Sequence, residues 1–128
     1  MHEFPVQVYY EDTDMAGIVY HANYLKFIER ARSDWVRSLG IDQNVLRERE
    51  GIVFVVRRIE ADYLASAHFE EQLLVRTSVK SVSGVRLMLH QEVVRDGKPI
   101  FAADVTVVTI TTEGHPARLP DQIRRRVH

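Results

Sequence analysis

The stretch from Tyr9 to Leu39, YYEDTDMAGIVYHANYLKFIERARSDWVRSL, limits what this chain can become more than any other. Its second half carries the only long helical periodicity in the sequence. Tyr24, Phe27, Ile28, Ala31, Trp35 and Leu39 recur at the three-and-four spacing that stacks side chains on one face of a helix. Lys26, Glu29, Arg30, Ser33, Asp34 and Arg37 fill the opposite face. Arg32 falls close to the apolar stripe, so it is expected to find an acidic partner or a subunit contact. Asn23 suits an N-cap, and Gly40 followed by apolar Ile41 suits a left-handed C-cap. At about 1.5 Å per residue the helix is roughly 25 Å long, enough to form the hydrophobic axis of a small domain. The first half of the stretch is an acidic loop with Glu11, Asp12, Asp14 and Gly17, and it feeds directly into the helix start.

Around this axis the chain reads as strands. Phe4, Val6, Val8 and Tyr10 alternate with Pro5, Gln7 and Tyr9, a first strand in which Pro5 argues for an edge or strand-end position. A connector from Asp42 to Gly51 has helical character around Val45 to Glu50. Ile52 to Ser66 is rich in β-branched and aromatic residues, and Leu73 to Ser83 alternates. Ser83-Gly84 then turns into Arg86 to Arg95, and Asp96-Gly97 is a hairpin signal leading into Ile100 to Thr112. Glu113-Gly114, Pro116 and Pro120 end the sheet. One strand, one long helix and four strands joined mostly by hairpins predict an α+β domain: an antiparallel five-stranded sheet wrapped around one central helix. A single domain is expected over residues 1–128. One helix cannot cover the whole sheet, so self-association is expected.

Composition narrows the function classes. A formal net charge of -1 leaves no basic footprint for nucleic acid. With no cysteine there is neither a disulfide nor a thiolate metal site, which fits a cytoplasmic location. The N-terminus lacks a signal-peptide pattern, and no stretch reaches the length of a membrane-spanning helix.

The loop holds the candidate chemistry. Asp14 lies close enough in sequence to the helix start for its carboxylate to fold back onto the unpaired amides there. An acid beside such donors is the minimum equipment for acyl transfer or ester hydrolysis: the acid attacks or activates water, and the donors hold the oxyanion. The same residues also read as helix caps and a turn, and pattern alone favours that reading. Asp12 to Gly17 opens like a calcium loop, but Ala16 and Asn23 stand where two further ligands belong. His21 has no second His or Cys at metal-ligand spacing on its element, so it reads as a packed residue, a capping residue or a general base. Tyr10 reads as core or rim, with a hydroxyl able to orient Asp14.

The run from Tyr9 to Tyr24 resembles the signature of the hotdog-fold acyl-CoA thioesterases, and most closely the YbgC-like group of the 4-hydroxybenzoyl-CoA thioesterase family. The resemblance spans essentially the whole chain, with Ala16 standing where many members of the group carry Gly. It implies a hotdog fold and hydrolysis of an acyl-CoA to free acid and CoA, with coenzyme A part of the substrate and no separate cofactor. It implies that Asp14 is nucleophile or general base, that the backbone N–H near His21 polarises the thioester carbonyl, and that Tyr10 and His21 belong to the active-site motif. It places Gly17, Ile18, Val19, Tyr20, Asn23 and Tyr24 at the substrate, while Arg57, Arg58 and Arg86 are candidates for the CoA phosphates. It also implies a dimer with a continuous sheet, often paired into a homotetramer, and leaves open an acyl-carrier protein as the natural carrier. Two rivals share the fold: a module that binds acyl-CoA or acyl-carrier protein without cleaving it, and a hydratase or dehydratase.

Overall fold

The computed structural model describes residues 1–125. Its strands are β1 His2–Gln7, β2 Ile52–Tyr63, β3 Gln72–Val82, β4 Arg86–Arg95 and β5 Lys98–Thr111. They form one antiparallel sheet in the order β1-β3-β4-β5-β2. The hairpins are where the turn residues put them. Asp96 and Gly97 have φ of 51° and 80°, so both occupy the left-handed region that a tight hairpin between twisted strands requires. Pro5 sits within edge strand β1, as expected of a residue that cannot donate to a ladder. The first strand is shorter than the alternation suggested. It ends at Gln7, and Tyr10 falls in a single 3-10 turn, Tyr10–Asp12, with its ring exposed rather than in the core. Because β2 pairs with the last strand, β5, it closes the far side of the sheet and leaves its own outer edge free.

The long helix α1 spans Asn23–Ser38 and buries Tyr24, Phe27, Ile28, Ala31, Trp35 and Val36. These side chains meet Val75, Leu87, Leu89, Val93, Phe101 and Val105 from the inner face of the sheet. Each large apolar side chain so buried contributes roughly 1.5–3 kcal/mol, which makes this seam the main source of stability. Gly40, with φ of 82°, ends the helix as expected. The helix start differs from expectation: Ala22, not Asn23, holds the N-cap position and makes no side-chain cap. Asn23 is the first helical residue, and its Nδ2 donates to the backbone oxygen of Asp12 at 2.9 Å. Arg32 meets no acidic hydrogen-bond partner of its own chain among the described residues. Its Nη1 donates to the neutral amide of Gln91, at 2.9 Å, instead of to an acid.

The connector forms a short α2, Gln43–Val45, capped by Asp42, and widens into a turn at Leu46–Glu50 that ends at left-handed Gly51. A terminal α3, Asp121–Arg124, was not foreseen; it seats Ile123 in the core. Residues 126–128 lie outside the described residues. No helix among the described residues is long and apolar enough to cross a membrane.

Asp12 fastens the loop to the rest of the fold. It is buried, its Oδ2 accepts from the Tyr9 amide at 2.9 Å, and its backbone oxygen accepts from Tyr20 N and Asn23 Nδ2, each at 2.9 Å. Asp12→Ala leaves the Tyr9 amide without its side-chain acceptor, so urea unfolding should show a loss of about 1–3 kcal/mol.

On the outer face of the sheet, both ring nitrogens of His90 face acids. Its Nδ1 lies 2.8 Å from Asp104 Oδ1 and its Nε2 lies 3.4 Å from Glu92 Oε2, while Lys80 holds the other Asp104 oxygen at 3.0 Å. The Asp104 hydrogen bond, helped by Glu92 and opposed by partial burial, holds the His90 pKa above its ordinary value. A raised folded-state pKa means stabilisation that is complete below the unfolded value, about 6.5, and lost as pH rises through the folded one. The gap between the urea midpoints of wild type and His90→Asn should therefore be widest in wild type's favour below about pH 6.5 and should narrow as pH rises above it.

Candidate active site

The loop between β1 and α1 is a small hairpin. Thr13 and Val19 form an antiparallel bridge, the Asp14 amide donates to Ile18 O at 2.9 Å, and the Gly17 amide donates to Asp14 O at 3.0 Å. Closing so short a turn needs a left-handed residue, and Gly17 supplies it with φ of 79°. Asp14 Oδ1 accepts from the Ala16 amide at 2.9 Å, which holds the carboxylate at the tip of the turn. Ile18 bridges to His68, and the Val19 amide donates to Ala67 O at 2.9 Å, so the hairpin docks on the segment that follows β2.

That segment is itself braced. Glu71 Oε1 accepts from the His68 amide at 2.6 Å and from Arg95 Nη1 at 2.9 Å, and the same Arg95 nitrogen donates to Ser66 O at 2.7 Å. Partial burial opposes ionisation of Glu71, but the His68 amide and the Arg95 guanidinium outweigh it and hold its pKa below the ordinary carboxylate value.

Between the hairpin, the start of α1 and the end of β2 lies an open cleft of about 390 Å³. Asp14, Ile18, Val19, His21, Tyr24 and Tyr63 line it. Tyr63 donates its hydroxyl to His21 O at 3.0 Å, which pins the last residues before the helix to the end of β2. The Tyr24 ring is buried and stacks on Phe101, centroid to centroid 5.1 Å, while its oxygen accepts from the Ala67 amide at 3.0 Å. Burial raises the Tyr24 pKa, so the phenol stays neutral. At the start of α1 the Asn23 amide is used by Tyr20 O, whereas the amides of His21 and Ala22 find no acceptor among the described residues. The cleft thus has an exposed carboxylate, Asp14, and His21, whose amide finds no acceptor among the described residues, in one lining.

Most of the expected site residues come together here, in different capacities. Asp14, Ile18, Val19, His21 and Tyr24 line the cleft, Gly17 shapes the turn, and Asn23 ties the helix to Asp12. Tyr20 lies outside the lining with its ring 4.6 Å from that of His21. Tyr10 is not brought to Asp14. Its exposed ring packs edge-on against Phe69 at 6.2 Å, so it does not line its own protomer's cleft. Arg57 sits at a bulge in β2, Arg58 pairs with Glu60 at 3.2 Å, and Arg86 opens β4. Arg57 lies roughly 20 Å along the strand from Tyr63, too far to share a protomer's cleft with Asp14. Two contributors were missed in sequence: Tyr63, which looked like an ordinary strand aromatic, and Asp12, whose burial no local pattern distinguishes from that of Asp14.

The comparisons with known proteins agree with this geometry. The family model described as the thioesterase-like superfamily matches residues 8–127. The acyl-CoA thioesterase YbgC of Haemophilus influenzae is 37% identical over 126 residues, 98% of this chain and 93% of that protein. The acyl-CoA thioester hydrolase YbgC of Escherichia coli is 38% identical over 122 residues, 94% of this chain and 90% of that protein. The crystal structure of a probable thioesterase from Bartonella henselae superposes with a TM-score of 0.89 at 36% identity, covering 93% of this chain and 98% of that one. An antiparallel five-stranded sheet around one helix is the hotdog architecture, and the chain belongs to the thioesterase-like superfamily.

Proposed function

We propose that the chain is an acyl-CoA thioester hydrolase, with Asp14 the catalytic carboxylate and the free amides around His21 the oxyanion donors. The observation that carries this reading is the cleft that Asp14 and His21 share, an exposed acid on a tight turn beside a residue whose amide finds no acceptor among the described residues, in a chain whose relatives are thioester hydrolases. In the nucleophilic route, Asp14 attacks the thioester carbonyl, the C–S bond breaks, and CoA leaves as a thiolate that takes up a proton. Water then opens the acyl–Asp14 anhydride to give the free acid and restore the carboxylate. In the general-base route, Asp14 removes a proton from water as that water attacks the carbonyl directly. Either route passes through a tetrahedral oxyanion, and one well-placed donor stabilises it by roughly 3 kcal/mol. The chemistry needs no separate cofactor, since coenzyme A enters with the substrate.

The working unit of this reading is a homodimer formed through β2, whose long outer edge is free and whose Val55, Val56 and Tyr63 are exposed. Pairing two such strands extends the sheet and gathers Arg57 and Arg58 of both copies at the middle of the seam, between the two clefts, as a basic patch for the CoA phosphates. Further pairing into a tetramer, a cytoplasmic location and use of an acyl-carrier protein belong to the same reading.

Asp14→Asn preserves size and removes the charge, and should lower turnover of acyl-CoA, followed as free thiol, by at least about a hundredfold. Near-normal turnover in a variant with an unchanged unfolding midpoint removes Asp14 from the mechanism. A wild type that binds acyl-CoA without releasing thiol makes the chain a binding module instead. Single turnover in isotopically labelled water separates the two routes, because only nucleophilic attack leaves the label in Asp14.

A further inference from the structure

Tyr24 and Tyr63 both line the cleft, and their hydroxyls are used in opposite ways. Tyr63 donates its proton to His21 O at 3.0 Å, so it has none left to offer a ligand. Tyr24 is the reverse. Its oxygen accepts from the Ala67 amide at 3.0 Å, and its own O–H meets no acceptor among the described residues. The backbone oxygens of the segments around it are already engaged: Ser66 O by Arg95, Ala67 O by Val19 N, His21 O by Tyr63 and Tyr20 O by Asn23 N.

The fold holds this unused donor in place. Tyr24 is only 3% exposed; its ring stacks on Phe101 and meets Phe27 and Tyr63 edge-on, with centroids 5.9 Å and 5.8 Å away. The phenol therefore cannot swing out to solvent. Burial raises its pKa; the Ala67 amide and the charge of Arg95 oppose that shift, while Glu71 and Tyr63 add to it. The hydroxyl thus stays protonated, and the amide that donates to its oxygen polarises it into a stronger donor. A buried hydroxyl whose proton goes unused costs about 1–3 kcal/mol, so the site favours an occupant that accepts.

The Asp14 chemistry brings such an acceptor. The thioester carbonyl oxygen gains negative charge as the tetrahedral intermediate forms, and it then takes up more than one hydrogen bond. His21, whose amide also lacks an acceptor, lines the same cleft. The departing sulfur is a poorer match. A phenol held above its ordinary value of about 10 is a weaker acid than a thiol, at about 8.5, and does not give that sulfur its proton.

We propose that Tyr24 is a catalytic hydrogen-bond donor in the thioester cleavage: its hydroxyl, anchored by the Ala67 amide, donates to the carbonyl oxygen of the bound acyl thioester together with the His21 amide. The proton stays on the phenol throughout, and the hydrogen bond strengthens as the oxyanion forms. This rests on the hydrolase reading and adds to it a residue whose ring alone would satisfy the core.

The test uses hexanoyl-CoA and benzoyl-CoA. A ring-fluorinated tyrosine placed at position 24 keeps the ring and the acceptor for Ala67 but ionises more readily. Once ionised it still accepts from Ala67 and has nothing to donate, so kcat should fall at a pH about one unit or more below the wild-type alkaline limb. An alkaline limb that does not move overturns the proposal, because a purely structural Tyr24 predicts that result. Tyr24→Phe should lower kcat at least about tenfold with little change in KM, and a rise in KM at unchanged kcat overturns the proposal. A readout free of turnover is the stretching frequency of the thioester carbonyl, isotopically labelled and bound to Asp14→Asn protein. Hydrogen bonding lowers that frequency, and adding Tyr24→Phe should reverse part of the lowering; equal frequencies with and without the hydroxyl overturn the proposal. If wild type binds either thioester without cleaving it, the hydrolase reading fails and the carbonyl frequency still decides Tyr24. Protein that binds neither thioester ends both readings.

Discussion

The backbone oxygen of Asp12 is the hinge pin of this structure. It accepts from Tyr20 N and Asn23 Nδ2, so both of its lone pairs are engaged in fixing the start of α1 to the loop. A helix is usually fixed at its start by a side chain that caps the first amides, and an Ala in the cap position forgoes about 1 kcal/mol relative to Asn or Asp. Here the fixing is done from outside, by Asn23 reaching to another element, and the cap position is held by Ala22. Tyr63 pins the peptide before the helix, where the amides of His21 and Ala22 find no acceptor among the described residues.

What could be read from sequence, and what could not, follows from how local each signal is. The helix between Asn23 and Ser38, the Asp96-Gly97 hairpin and the Gly40 stop are written in short-range spacing and turn chemistry, and each appears where the residues put it. The placement of β2 beside β5 depends on pairing between distant segments, and no window of sequence contains it. The same limit hid the division of labour between Asp12 and Asp14. Both stand in one acidic run, yet Asp12 turns inward to the Tyr9 amide while Asp14 rides the tip of a turn closed by Gly17. Tyr10 illustrates the reverse error, because alternation carried the strand too far and placed in it a ring that a 3-10 turn swings out to Phe69. The family signature points to this loop as a whole; only geometry separates Asp12, which anchors it, from Asp14, which stands exposed at the turn.

The sheet is wider than the helix can cover. α1 lies over β1, β3 and β4, and the inner face towards β2 stays partly open. Exposed edge strands are usually blunted by shortness, proline or charge. β2 has 12 residues, no proline, and several charges, among them the Arg58–Glu60 pair that spans its solvent side. It is therefore long enough to pair and charged enough to pair in one register. In full antiparallel overlap Arg57 of one copy falls opposite Arg58 of the other, which is unfavourable unless anions lie between them. A ligand that brings phosphates to this seam would relieve that repulsion, so dimer formation and CoA binding should reinforce one another.

Arg32 poses the same question inside the fold. Arg32 is half-buried, and its partial burial is offset by a hydrogen bond to Gln91 and by the charge of Glu29 one turn back. The structure tolerates the charge by spending a fully buried glutamine on it, and Gln91 in turn needs Thr77 and the Ile28 carbonyl to be satisfied. Four groups on three elements are thus arranged around one guanidinium, which ties α1 to β3 and β4 through side-chain hydrogen bonds as well as through the apolar seam.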